Sequence, residues 1–193
     1  SMGLEPNTTI REEVCNTVFH FLRQVRPFMA HRDGRFDYFY ETFQLAVLER
    51  YKHLFSIKDW HGKLADYFAA LPTWLDEDKN NPTVRKVSEY PYHLAMAARS
   101  QEFTTILTQF DFLKAKVMSL GAVLLLDDLK LRKLPSLHLA ESTLKDMTLI
   151  ERAIILSLHN LNADPDQFAE QLYARLGDQD QPMIQDLLIQ ANS

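Results

Sequence analysis

Residues 88–129 read SEYPYHLAMAARSQEFTTILTQFDFLKAKVMSLGAVLLLDDL, and this stretch decides the fold. Four short apolar periods follow one another, separated by Pro91, the Arg99-Ser100 step, Asp111 and Gly121. Each separator marks a helix boundary through capping or backbone restriction. Phe103, Ile106, Leu107 and Phe110 recur at the spacing of one helix face, and Ala122, Leu125, Leu126 and Leu129 do so again. Every such stripe needs a neighbour to cover it, so the pattern predicts helix packed upon helix. Neither stripe carries a catalytic group.

Immediately upstream, residues 83–89 form a short helical piece with Val84 and Val87 inward, and Pro91 pushes Tyr90 out of the α region, which kinks or breaks the helix. The segment LPTWLDEDKNNP at 71–82 is polar and bounded by prolines, so it reads as a long loop. Its Trp74 either docks on the domain or faces a partner; exposing the indole costs about 2 kcal/mol, which favours docking. Before the loop, Trp60, Leu64, Tyr67, Phe68 and Leu71 share one helical face behind Ser56 as N-cap. Phe43, Ala46, Val47, Tyr51 and Leu54 share another.

Further toward the N-terminus the period changes. Thr9 and Glu12 form a capping box that opens a helix with Ile10, Val14, Val18, Phe21, Leu22 and Val25 on one side, closed by Arg26-Pro27. Asp33-Gly34 then stands between His31 and the alternating Phe36, Tyr38 and Tyr40, the strongest short-range hairpin signal, because Gly34 supplies positive φ freely. Helix followed by hairpin is the second half of a winged helix, and too few residues precede it for the first half. Downstream of 129, a spacer with His138 leads to a long helix opened by Ser142 or Thr143, with Ile150, Ala153, Ile154, Leu158 and Leu161 aligned. Asp164-Pro165 starts another helix with Phe168, Leu172 and Leu176 inward, which Gly177 ends at C′, and Ile184, Leu187, Leu188 and Ala191 mark the last. No fixed-length repeat emerges. The expected fold class is mainly α, an irregular α-helical array with one β-hairpin wing near the N-terminus. The expected division is a truncated winged-helix remnant at 1–40 and a helical linker or scaffold domain at 41–193.

Composition narrows the function. With 193 residues and 46% hydrophobic content the chain can build an ordinary core. Five glycines and the single Cys15 rule out a disulfide framework and a cysteine zinc cluster, and they fit a reducing cytoplasmic setting. The net charge of -5 opposes a nucleic-acid surface. Lys114, Lys116, Lys130, Arg132 and Lys133 read as a solvated helix face, and Arg11, Arg23 and Arg26 are offset by Glu12 and Glu13. No apolar run reaches the ~20 residues that cross a bilayer. The leading Ser1-Met2 reads as a vector remnant, which predicts an excised fragment.

The chemistry-bearing residues are scattered. Gly3, Gly34, Gly62, Gly121 and Gly177 cannot form a phosphate-binding loop, so no nucleotide cofactor is expected in this chain. Histidines 20, 31, 53, 61, 93, 138 and 159 lack metal-ligand spacing; the nearest candidate pair is His53 with His61. Asp127-Asp128 and Asp76-Glu77-Asp78 project in different directions on a helix and read as surface. Cys15 reads as packing.

Taken in order, RFDYFYETFQLAVLERY at 35–51, DWHGKLADYF at 59–68, SEYPYHL at 88–94, DFLKAKVMSLGAVLLLDDL at 111–129 and NADPDQFAEQLYARLGDQDQPMIQDLLIQA at 162–191 resemble one family. It is the region downstream of the nucleotide-binding module in signal-transduction ATPases with numerous domains (STAND, or AP-ATPases). That group includes the apoptotic protease-activating factor and many proteins ending in WD-repeat propellers. The resemblance implies a non-catalytic helical domain that couples an upstream NTPase switch to a downstream WD-repeat sensor, both intramolecular neighbours, with ATP or ADP only in the upstream module. It implies neither nucleic-acid nor membrane partners and a cytoplasmic location. Family members often carry a phosphate-sensing His at the end of the wing strand; Tyr40 occupies that slot here and reads as an aromatic of the hairpin core. Catalytic and metal residues are expected to be absent, and Gly34, Trp60, Pro91, Gly121 and Gly177 to be structural. The alternative is an independent helical-repeat module that binds peptides in a groove between helix pairs.

Overall fold

The computed structural model describes residues 18–20, 23–32, 35–38, 40–51 and 56–192. The chain is mainly helical and divides into two compact units, Ser1–Phe55 and Ser56–Ser193. The capping box at Thr9 and Glu12, Cys15, the Asp33-Gly34 turn and His53 lie outside the described residues, as does most of the stripe from Ile10 to Leu22.

In the first unit, Pro27 sits in a 3₁₀ turn, Arg26–Phe28, which ends the preceding helical residues as proline requires. Strands β1 (Met29–Arg32) and β2 (Arg35–Tyr38) then pair antiparallel, from Met29 opposite Tyr38 to Arg32 opposite Arg35. Helix α1 (Glu41–Tyr51) follows, and the Phe28 ring stacks on Phe43 at 4.8 Å between centroids.

The second unit holds eight α-helices among the described residues: α2 (Ile57–Ala69), α3 (Val84–Met96), α4 (Ser100–Ile106), α5 (Phe110–Leu120), α6 (Ala122–Lys130), α7 (Glu141–Ala163), α8 (Phe168–Leu176) and α9 (Pro182–Ala191). Successive helices pack on one another: α2 on α3, α3 on α4 and α5, α5 on α6, α6 on α7 and α7 on α8. Helix α9 closes the array by returning to α5 and α8. One continuous core runs through it, with Phe103, Phe112, Leu113, Leu125, Leu129, Met147, Ile150 and Phe168 fully buried and Phe110 stacked on Phe168. The two stripes that announced the fold, Phe103 to Phe110 and Ala122 to Leu129, are buried throughout.

The helix boundaries follow local chemistry at three of the expected separators. Arg99 caps α4, the step at 109–111 opens α5, and Gly121 separates α5 from α6. Gly121 has φ +85° and ψ 159°, a region open essentially to glycine alone. Pro91 departs from expectation. It lies inside a continuous α3, buried with Tyr90 and Leu94, so the packing of α3 outweighs the loss of one backbone donor. Beyond the Ala97 C-cap of α3, Ala98 takes φ +55°. There the Arg99 N–H reaches the Leu94 carbonyl at 3.0 Å and the Ala98 N–H reaches the Ala95 carbonyl at 3.1 Å, a Schellman motif without its usual glycine. Gly177 also ends α8, but with right-handed φ −58°. A Cβ there would meet the Tyr173 carbonyl at 2.8 Å, so the glycine serves close approach and not a left-handed cap.

Candidate functional site

Tyr40 lies outside β2, and its carbonyl accepts the Phe43 and Gln44 N–H groups at 3.1 and 3.2 Å, so it is the N-terminal boundary of α1. Its ring is 55% exposed, which removes it from a hairpin core. Gly34 falls outside the described residues.

Helix α2 turns only part of its expected stripe inward, Phe68 and, just past its end, partly buried Leu71. Its buried residues are Ala65 and Phe68, joined by partly buried His61, so the face used against α3 is i, i+4, i+7 through a histidine. Ile57, Trp60, Leu64 and Tyr67 form the adjacent stripe and remain 41–57% exposed, with the Lys63 ammonium 4.6 Å over the Trp60 ring. Val84 is likewise half exposed, whereas Val87 is buried. Trp74 is partly buried against the core, and its loop closes by pairing with Pro82.

The α2–α3 seam is built from polar and aromatic groups. Nδ1 of His61 and Nδ1 of His93 stand 2.8 Å apart, so one ring donates to the other. His93 stacks on Phe68 at 5.6 Å, and Tyr92 meets both imidazoles edge-on. Burial pushes both histidines below their ordinary value; for His93 the neighbouring His61 adds to this and Glu89 opposes it. The partner of His61 is therefore His93 of α3; His53 lies outside the described residues. Lys86, whose ammonium burial makes easier to deprotonate, donates to the Leu71 and Ala69 carbonyls at the C-terminal end of α2. Arg99 bridges Asp66 of α2 and Glu102 of α4.

Deeper in the array, Lys116 of α5 and Asp128 of α6 form a buried ion pair. Burial pushes the Asp128 carboxyl up to about 6, against the pull of Lys116. Arg132, at the 3₁₀ turn after α6, is buried against Glu151 of α7 and the Leu129 carbonyl. The expected solvated basic face thus splits: Lys116 and Arg132 are interior, while Lys130 pairs with Asp127 at the surface. The sequence carried a signal for the interior pair. Asp128 shares a stripe with Leu125 and Leu129, and Lys116 follows Phe112 by one turn, so both lie on apolar faces that charges occupy only when paired.

An open cleft of about 460 Å³ lies where the N-terminus of α5 meets the end of α9, lined by Lys79, Asp111, Lys114 and Gln190 among others. Lys79 already spans both oxygens of Asp111 at 2.9 Å, and the Gln190 side chain accepts the Phe110 N–H. Among the described residues no group of three His, Cys, Asp or Glu side chains converges to hold a metal ion. No helix among them is long and apolar enough to cross a membrane. What the arrangement does chemically is lock neighbouring helices through single polar ties: histidine to histidine, lysine to aspartate, arginine to glutamate.

Comparison with known proteins agrees with this architecture. The model of a family described as the APAF-1 helical domain matches residues 57–167, from the first residue of α2 to the turn that opens α8. No curated protein and no solved structure matches the chain.

Proposed function

Because the chain belongs to the APAF-1 helical-domain family, we propose that it serves as a non-catalytic helical scaffold within a larger signalling ATPase, coupling a nucleotide-switch module to a C-terminal WD-repeat sensor. The observation that carries this reading is the array itself. One core runs unbroken from α2 to α9, and buried ionic ties connect α5 to α6 and the end of α6 to α7. A body braced in this way passes a displacement at one end to the other, and a ligand at the sensor then shifts the switch by its differential affinity for two arrangements. In this reading residues 1–40 are the end of a winged helix, Tyr40 senses no phosphate, ATP or ADP binds only upstream, and the protein works in the cytoplasm. Calorimetry of this chain with ATP and ADP tests it: the expected result is no heat of binding and no hydrolysis. A micromolar nucleotide site would overturn it.

The exposed stripe Ile57, Trp60, Leu64 and Tyr67 supports a second reading, a helical adaptor that binds another protein segment. Charge substitution on that stripe, as in L64E, separates the two: it abolishes partner capture by an adaptor and leaves a core-transmitted scaffold folded.

A further inference from the structure

Helix α2 is thinly attached to its unit, as the short α4 is. It packs chiefly on α3, buries only Ala65 and Phe68, and leaves its more apolar stripe outward. The centre of its attachment is the histidine pair, where Nδ1 meets Nδ1 at 2.8 Å. That spacing holds one proton. A first added proton can sit on a far Nε2, making one ring a cationic donor to the other; a second needs hydrogens on both facing Nδ1 atoms, which places two donors and two positive charges nose to nose.

We propose that α2 is an acid-released element: the His61–His93 pair keeps it docked on α3 while the pair shares a single bridging proton, and further protonation undocks it. The surrounding charges do not cancel the effect. From α3, Glu89 favours a cationic His93, but Tyr92 offers only ring edges and Lys86 is committed to the Ala69 and Leu71 carbonyls. Asp66, the acid of α2 nearest the seam, is tied to Arg99, which also holds Glu102. Behind α3, Lys116 and Asp128 are tied to each other. The sign follows from burial: with both histidines held below their ordinary value, the undocked state takes up more protons as pH falls. The attachment is therefore intact above about 6.5 and weakens progressively below it. Asp128, raised to about 6, acts in the opposite direction on α5 and α6, so a global melting curve averages the two and a local readout is required.

Hydrogen exchange of the 193-residue chain at pH 7.5, 6.5 and 5.5, corrected for intrinsic rates, provides that readout. The expected result is that the opening constant of residues 57–69 rises by up to about tenfold per pH unit for each proton taken up, while residues 110–130 show no such rise. In H61Q the dependence on pH at 57–69 is weakened, because His93 alone remains desolvated in the seam. Protection of α2 that tracks α5 and α6 at every pH, or H61Q behaving as wild type, overturns the proposal. Should H61Q not fold, NMR titration of the wild-type imidazoles decides: a second proton taken up by the pair only below 6.5 sustains it, and both rings titrating at or above 6.5 overturns it.

Discussion

Ala98 and Gly121 carry the two backbone conformations on which the angles between α3, α4, α5 and α6 depend, and they are opposite in chemistry. Ala98 holds φ +55° with a Cβ that pays the left-handed penalty, inside a Schellman turn whose hydrogen bonds are already complete. Ala98→Gly relieves that strain and loses part of the gain to unfolded-chain entropy, so thermal unfolding should show a net stabilisation of up to about 1 kcal/mol. Gly121 is the reverse case. Nothing lies within 4 Å of a Cβ built there, so space is no obstacle, but φ +85° with ψ 159° excludes an L side chain. Gly121→Ala should cost about 1–3 kcal/mol in chemical denaturation, and an unchanged midpoint would show that α5 and α6 can join through another backbone path. The need for a glycine at 121 was legible from its place between two apolar periods. The left-handed turn at 98 was not, because alanine there follows helix-forming neighbours and carries no turn signature.

At the scale of elements, stripes were readable wherever the apolar residues faced a partner and misleading where they did not. The stripes of α4 to α9 predicted burial because each helix there has neighbours on its apolar side. On α2 the same rule selected Trp60, Leu64, Tyr67, Phe68 and Leu71; the structure buries Phe68 with Ala65, packs partly buried Leu71 against the core and leaves Trp60, Leu64 and Tyr67 exposed, with partly buried His61 facing α3 instead. Periodicity identifies faces but does not say which one a neighbour takes, and His61 looked polar until His93 was placed opposite it. Pro91 failed as a breaker for a related reason: the burial of α3 is a tertiary gain invisible to local propensity. The buried Lys116–Asp128 pair between α5 and α6 gives this scale its prediction. Removing one partner, as in K116M or D128L, strands a charge in the core and should cost about 3–5 kcal/mol, whereas K116M/D128L together should recover most of it. Full additivity in the urea-unfolding cycle would mean that the two groups do not interact. The pH dependence has a defined sign. With the Asp128 carboxyl raised from 3.8 to about 6, its contribution to stability is full below 3.8 and is lost as pH rises through about 6, so D128N should flatten that segment of the local profile.

For the whole molecule, the fold class came from the order of helical periods with a single Asp-Gly hairpin signal. The change from strand to helix at residues 40–41 marks where α1 begins, and compactness groups α1 with the first unit, where Phe43 stacks on Phe28. A period change marks where an element begins, whereas a unit ends where packing ends. The packing of the second unit is self-sufficient in one respect: every buried core hydrophobic among the described residues lies between Ala65 and Leu188. A helical array that contains its own core, and whose last helix returns to α5 and α8, should fold without the preceding unit. Residues 56–193 expressed alone should therefore give a cooperative thermal transition, a helical circular-dichroism spectrum and a midpoint within a few degrees of the full chain. A broad, non-cooperative transition would mean that residues 1–55 supply part of the core's stability. A cooperative transition in which only α2 loses exchange protection would locate the dependence in that helix, which α3 chiefly holds.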